Sequence, residues 1–235
     1  MSPNRALNYQ NEYRSLASET DIHALSGRRD RRDVTELVAD RIIHCMGPWE
    51  NQRVLDIGCG DGTLLRKLVS RGIASGVGTA LSDEEVTRLR IAHADTPFLS
   101  FTRSILPMLP AFDMNFTRVI CNGVLLLLDS VDDIRCSLGA LKSVVEPGAP
   151  AWIGEVPYRA ESADGLAISV TDMAALGNSV GLKTIENGEM IQGRMDYVMI
   201  RARTLDRGPS ASPVLLGAAL AASDFFVNAA DLVLL

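Results

Sequence analysis

Apolar residues along this chain follow two alternating rhythms. Short runs rich in Val, Ile, Leu and Ala fall at residues 54–57, 74–79, 98–102, 117–121 and 151–156. Between them, residues 63–69, 83–91 and 131–145 carry apolar positions three and four apart. The first rhythm predicts strands and the second predicts helices. Strands that alternate with helices call for a parallel sheet covered on both faces. Upstream, residues 1–32 are polar and mixed, and then Val34, Leu37, Val38, Ile42 and Ile43 recur at helical spacing. That helix would cover the sheet edge or the mouth of a site.

Glu146-Pro147-Gly148-Ala149-Pro150 is a sharp stop between a helix and the next strand. Further on, residues 172–180 predict a helix closed by Gly181, and two β-rich runs follow at 183–186 and 195–203. Their connection is too short for a parallel crossover, which needs about a dozen residues. They are therefore predicted to form a hairpin, with 195–203 as an antiparallel strand at the sheet edge. The expected fold is a doubly wound α/β domain with a mostly parallel seven-stranded sheet and an antiparallel last strand. Residues 1–49 form an N-terminal helical or lid segment, 50–204 the α/β domain, and 205–235 a linker and apolar tail. Asp224, Asn228 and Asp231 interrupt that tail. Its two acids argue against a membrane span, since each costs about 2.5–3.5 kcal/mol near a bilayer centre. The tail is expected to fold back as a helix or to pack on a second subunit, which makes a homodimer one outcome.

The densest chemistry lies in Val54-Leu55-Asp56-Ile57-Gly58-Cys59-Gly60-Asp61-Gly62-Thr63. An apolar run ends in an acid, a glycine-rich turn follows, and a helix begins. This layout brings backbone N–H groups and a helix N-terminus against a ligand. A dinucleotide fingerprint would need Gly or Ala where Thr63 stands, and Asp61 would repel a pyrophosphate. Both features exclude a nicotinamide-dependent oxidoreductase and favour a neutral or cationic ligand.

At Asp56, Gly58, Gly60 and Gly62 the chain resembles the class I S-adenosylmethionine-dependent methyltransferases, whose first motif is acid-x-Gly-x-Gly-x-Gly. The resemblance covers about residues 50–203, and the predicted strand pattern matches that family's architecture. It implies S-adenosylmethionine as cofactor, seated over Asp56, Gly58, Cys59, Gly60 and Gly62. Ala80, Leu81, Ser104 and Ile105 would surround ribose and adenine, and Asn122 would face the methionine end.

Three acids common in the family are replaced. The ribose acid is Ala80, the acid near the adenine is Ser104, and the usual Phe-Asp pair is Phe116-Thr117. Each lost charge-assisted hydrogen bond is worth about 1.5–3 kcal/mol. Asp83 or Glu84 from the next helix are the candidates to reach the ribose instead. Asn122-Gly123-Val124-Leu125 differs from the Asn-Pro-Pro-Tyr of amino-methyltransferases, which argues against DNA or protein glutamine as acceptor. The resemblance therefore implies methyl transfer to a small molecule. The alternative is a non-catalytic domain that binds cofactor weakly and serves as a scaffold.

Among candidate catalytic groups, Glu155 stands at the end of the fifth predicted strand, where open α/β sheets bind ligands. His23 is the histidine expected near the mouth, and Tyr9 and Tyr13 are candidates to line a lid. Net charge is −6 and the pI is near 5.1, so no global basic field attracts nucleic acid. The basic cluster Arg28-Arg29-Asp30-Arg31-Arg32-Asp33 reads as a solvated helix start, with substrate binding as the alternative. The four cysteines are scattered and offer no metal set, and the first ten residues have no secretory h-region. These features point to a cytoplasmic protein with free thiols.

Overall fold

The computed structural model describes residues 5–19, 21–28, 31–157, 167–191 and 194–202. Its strands are β1 (Arg53–Ile57), β2 (Ser75–Ala80), β3 (Leu99–Arg103), β4 (Arg118–Asn122), β5 (Pro150–Pro157), β6 (Leu182–Ile191) and β7 (Arg194–Arg201). They form one sheet in the order β3-β2-β1-β4-β5-β7-β6. The first five are parallel, and β7 is antiparallel to both β5 and β6. The doubly wound sheet with an antiparallel last strand is as expected from the sequence.

One detail of that expectation is corrected. β7 is not an edge strand; it lies between β5 and β6. Asp196, Tyr197, Val198 and Met199 are all buried, so both faces of this strand are covered. β6 takes the edge, and its exposed Lys183 and Asn187 suit a strand with one side open to water.

Side-chain alternation along the strands builds two cores. Val54, Ile120, Trp152 and Val198 face one side of the sheet, where α2 (Arg32–Met46), α3 (Thr63–Val69) and α4 (Asp83–Ala92) pack through Ile42, Leu65, Leu68 and Leu89. Leu55, Val119, Ile153, Tyr197 and Met199 face the other side, where α5 (Val131–Val144) and α6 (Val170–Val180) supply Leu138, Leu141 and Met173. Burying each such aliphatic side chain stabilises the fold by about 1.5–3 kcal/mol.

Local signals set the helix ends. Ser82 and Glu85 close a reciprocal capping box at the start of α4. Gly181, at φ 86°, ends α6 in the left-handed region. α1 (Arg5–Leu16) and the 3-10 turn Ile22–Ser26 occupy a region that reads only as polar and mixed in the sequence. Leu16, Ala24 and Leu25 anchor this lead-in segment to the first core. Among the described residues, no helix is long and apolar enough to cross a membrane. The linker and tail at 205–235 lie outside the described residues, as does the side chain of Tyr9.

Candidate functional site

β2 and β3 lie on one side of β1, and the chain then crosses back to place β4 on the other, so a crevice opens at the C-terminal ends of these strands. A cavity of about 650 Å³ fills it. The glycine turn after β1 forms its floor. Gly58, Gly60 and Gly62 sit at φ 68°, 55° and 76°, a region that side chains with a Cβ rarely adopt. The Gly58 and Cys59 N–H groups donate to the Thr79 hydroxyl and carbonyl at 3.2 and 3.0 Å, tying the turn to β2.

The roof comes from the N-terminal segment. A Cβ on Gly60 would lie 3.1 Å from the Ser26 Cα, so this glycine lets the 3-10 turn settle on the loop. Asp61 serves the same contact. One carboxylate oxygen accepts from the Thr63 N–H at 3.0 Å, at the start of α3. The other lies 2.5 Å from His23 Nδ1. His23 therefore clasps the roof to the floor. The cavity wall beside it is made by Leu25, Ser26, Gly27 and Arg28.

Asp56 lies at the base of the cavity with 4% of its surface exposed. No hydrogen bond from the described residues reaches its carboxyl group. Burial, reinforced by the charge of Asp61, pushes it up to about 8. A buried carboxyl that opens onto the cavity beside a positive-φ glycine turn, with no hydrogen bond from the described residues, fits an ammonium group. It suits the amino end of S-adenosylmethionine and does not suit a phosphate.

Along the rim, Ala80, Leu81 and Ser104 line the cavity together with Leu106. Ser104 donates its hydroxyl proton to the Met108 carbonyl at 3.2 Å, which leaves its lone pairs to accept from an amino group. Ile105 and Gly62 stand beside the cavity rather than in its wall; Ile105 bridges to Met108, and Gly62 sits against His93. Cys59 is a buried wall residue whose thiol is pushed well up by desolvation.

The two acids expected to reach the ribose point elsewhere. Asp83 is exposed and pairs with Arg103 at 3.5 Å, and Glu84 is exposed and pairs with Arg14 at 3.8 Å. Glu85 instead is 3% exposed and lines the cavity. The sequence carries a signal for it, the Ser82-x-x-Glu85 capping pattern.

Glu155 occupies the far end of the cavity. It sits at φ 56° in an irregularity of the β5–β7 pairing between Ile153 and Val156, a bulge that turns its side chain inward. Arg28 and Asn122 Nδ2 both donate to Oε1, the latter at 2.7 Å. Arg194 Nη1 donates to Oε2 at 3.0 Å. Asn122 accepts in turn from the Trp152 indole N–H at 3.1 Å. Behind the bulge, Asp196 accepts from the Glu155 N–H at 2.8 Å. Burial pushes the Asp196 carboxyl up to about 7, with the Glu155 charge adding to it. Arg28 reads in the sequence only as one member of a basic cluster, and no motif marks Arg194. They are 127 and 39 positions from Glu155, and only the fold brings them together. Among the described residues no cluster could hold a metal ion.

Comparison with known proteins agrees with this geometry. Residues 54–148 match the family model described as a methyltransferase domain. Ubiquinone biosynthesis O-methyltransferase of Alkalilimnicola ehrlichii is 26% identical over 117 residues, covering 49% of this chain and 46% of that protein. The chain thus spans about half the length of the curated relatives it matches. Among solved structures, a chain of the complex between the Haloferax volcanii Trm112 methyltransferase activator and a putative methyltransferase superposes with a TM-score of 0.66 at 21% identity. That match covers 82% of this chain and 98% of the other. The N-methyltransferase NodS of Bradyrhizobium japonicum WM9, solved with S-adenosylhomocysteine, gives 0.64 at 13% identity over 86% and 100% of the two chains. The glycine turn, the buried acid and the sheet order thus accompany a methyltransferase-domain match over residues 54–148 and the fold of S-adenosylmethionine-dependent methyltransferases.

Proposed function

We propose that this protein transfers a methyl group from S-adenosylmethionine to a small molecule held between the glycine turn and the Arg28–Glu155–Arg194 cluster. The observation that carries the reading is Asp56, a buried carboxyl without a protein hydrogen bond at the base of the cavity. The bound cofactor would supply an electrophilic methyl on a sulfonium. Asp56 would hold its ammonium, the Gly58–Gly62 backbone would lie along its methionine part, and Ser104 would accept from the adenine amino group. Alignment of nucleophile, methyl and sulfur within a closed site is itself worth several kcal/mol, up to about 7–11. The roof formed by Leu25, Ser26 and Arg28 serves that closure by excluding water.

Glu155 is a positioning residue in this reading. Its oxygens already accept from two guanidiniums and an amide, so it orients Arg28 and Arg194 rather than taking a proton. Two guanidiniums beside one carboxylate favour an acceptor that binds already ionised, such as a carboxylate or phenolate. They hold it as the oxyanion, its oxygen takes the methyl, and the sulfonium leaves as the neutral thioether, so no protein base is needed. The O-methyltransferase names of the curated relatives fit such an acceptor. His23 is likewise a positioning residue, since it holds the roof to Asp61.

The test is direct. Saturating S-adenosylhomocysteine should raise the melting temperature, because a ligand at a hundred times its dissociation constant stabilises the native state by about 2.7 kcal/mol. Labelled methyl groups should then pass from S-adenosylmethionine to hydroxylated small acids in a panel of acceptors. No thermal shift up to millimolar ligand would favour a non-catalytic scaffold instead.

A further inference from the structure

We infer that Glu85, in the first turn of α4, has taken over the ribose-binding task of the acid missing at Ala80. This inference rests on the cofactor reading above. Three observations converge on it. Ala80, at the end of β2, has only a methyl group to offer, and it lines the cavity. Asp83 and Glu84 are turned outward into surface ion pairs. Glu85 alone of the three consecutive acids is buried, and it lines the same cavity as Ala80 and Leu81.

The capping box explains how the carboxylate is held. Ser82 N–H donates to Oε2 at 2.8 Å, and the Ser82 hydroxyl accepts from the Glu85 N–H at 3.2 Å. That pair pins the side chain back toward the strand end instead of letting it extend into solvent. A carboxylate has about four acceptor sites, so the N-cap bond leaves acceptor capacity facing the cavity. Burial raises the group's proton affinity, while hydrogen bonds from the Ser82 side chain and from the Ser82 and Leu81 backbone act the other way. Two vicinal ribose hydroxyls are a pair of neutral donors, and a fixed carboxylate meets them without needing a countercharge. The acid has in effect moved from the strand to the helix that follows it, and a helix cap has become part of the binding site.

The test compares wild type, Glu85→Gln, Ala80→Asp and the double variant, using calorimetric titration with S-adenosylhomocysteine and with its 2′-deoxy analogue. Glutamine can keep the capping bond through its amide oxygen, so the melting temperature of the free protein should stay close to wild type. Glu85→Gln should weaken S-adenosylhomocysteine about tenfold, the size of one charge-assisted hydrogen bond. The loss should shrink markedly with the 2′-deoxy ligand. Ala80→Asp in wild type should bring no gain, because it sets two carboxylates at one site. In the Glu85→Gln background it should restore binding. Equal affinity of Glu85→Gln and wild type, or the same loss with both ligands, would overturn the inference while leaving the cofactor reading intact. Failure of wild type to bind S-adenosylhomocysteine would overturn both.

Discussion

Asp56 makes cofactor binding a proton-linked event, and the sign can be worked out from its position. Its carboxyl is buried at 4% exposure and is pushed from 3.8 up to about 8, first by desolvation and then by the charge of Asp61. In the free protein at pH 6.5 it is therefore mostly protonated. A ligand ammonium favours the ionised form, so binding must expel that proton. Complex formation at pH 6.5 should release about one proton, and affinity should rise by up to tenfold per pH unit between pH 6 and 7.5. Stability of the free protein runs the opposite way. The native state holds this proton more tightly than the unfolded chain does. The contribution of Asp56 is thus fully present below the unfolded value of 3.8 and is lost as pH rises through about 8. Asp56→Asn removes both effects: the free variant should be more stable than wild type at pH 8, yet bind more weakly. Calorimetry in buffers of different ionisation heat reads the proton count directly. Wild type that binds S-adenosylhomocysteine at pH 6.5 without proton release would refute this reasoning.

Three further outcomes are expected. Gly60→Val places a branched side chain at φ 55°, against the Ser26 backbone; the strain alone costs about 1–3 kcal/mol, and both the melting temperature and its rise with S-adenosylhomocysteine should fall. Glu155→Ala leaves Arg28 and Arg194 without their shared carboxylate; both guanidiniums keep some contact with water, so the loss should fall below the ~3–5 kcal/mol of a fully buried pair, chemical denaturation should show it, and methyl transfer should fall more than cofactor affinity does. Leu65→Ala, in a side chain with no exposed surface beneath α3, should cost about 2–5 kcal/mol in denaturant unfolding while the pH dependence of binding stays as in wild type.

Features of this protein that depend on short-range pattern are legible along the chain. Alternating apolar residues such as Val54 and Leu55 must face opposite sides of a strand, so a sheet covered by helices on both faces is legible in the local pattern alone. Residues 63–69 read as a helix, and α3 spans them. The acid and three glycines mark the ligand floor, because positive φ and close approach demand glycine within a few positions. Tertiary structure decided what depends on distance. A short connection implies that β6 and β7 pair antiparallel, but not which of them docks on β5. Backbone pairing to β5 on one edge and β6 on the other puts β7 inside the sheet, where Asp196 through Met199 are buried. The order of three consecutive acids, Asp83, Glu84 and Glu85, is plain in the sequence. Which of them turns inward follows from the helix phase and from the Ser82 N–H that holds Glu85. His23 with Asp61, and Arg28 with Glu155, are long-range pairs whose energy exists only once the sheet has brought distant segments together. No local pattern encodes them, because a charged residue reads the same in sequence whether it meets water or a buried partner.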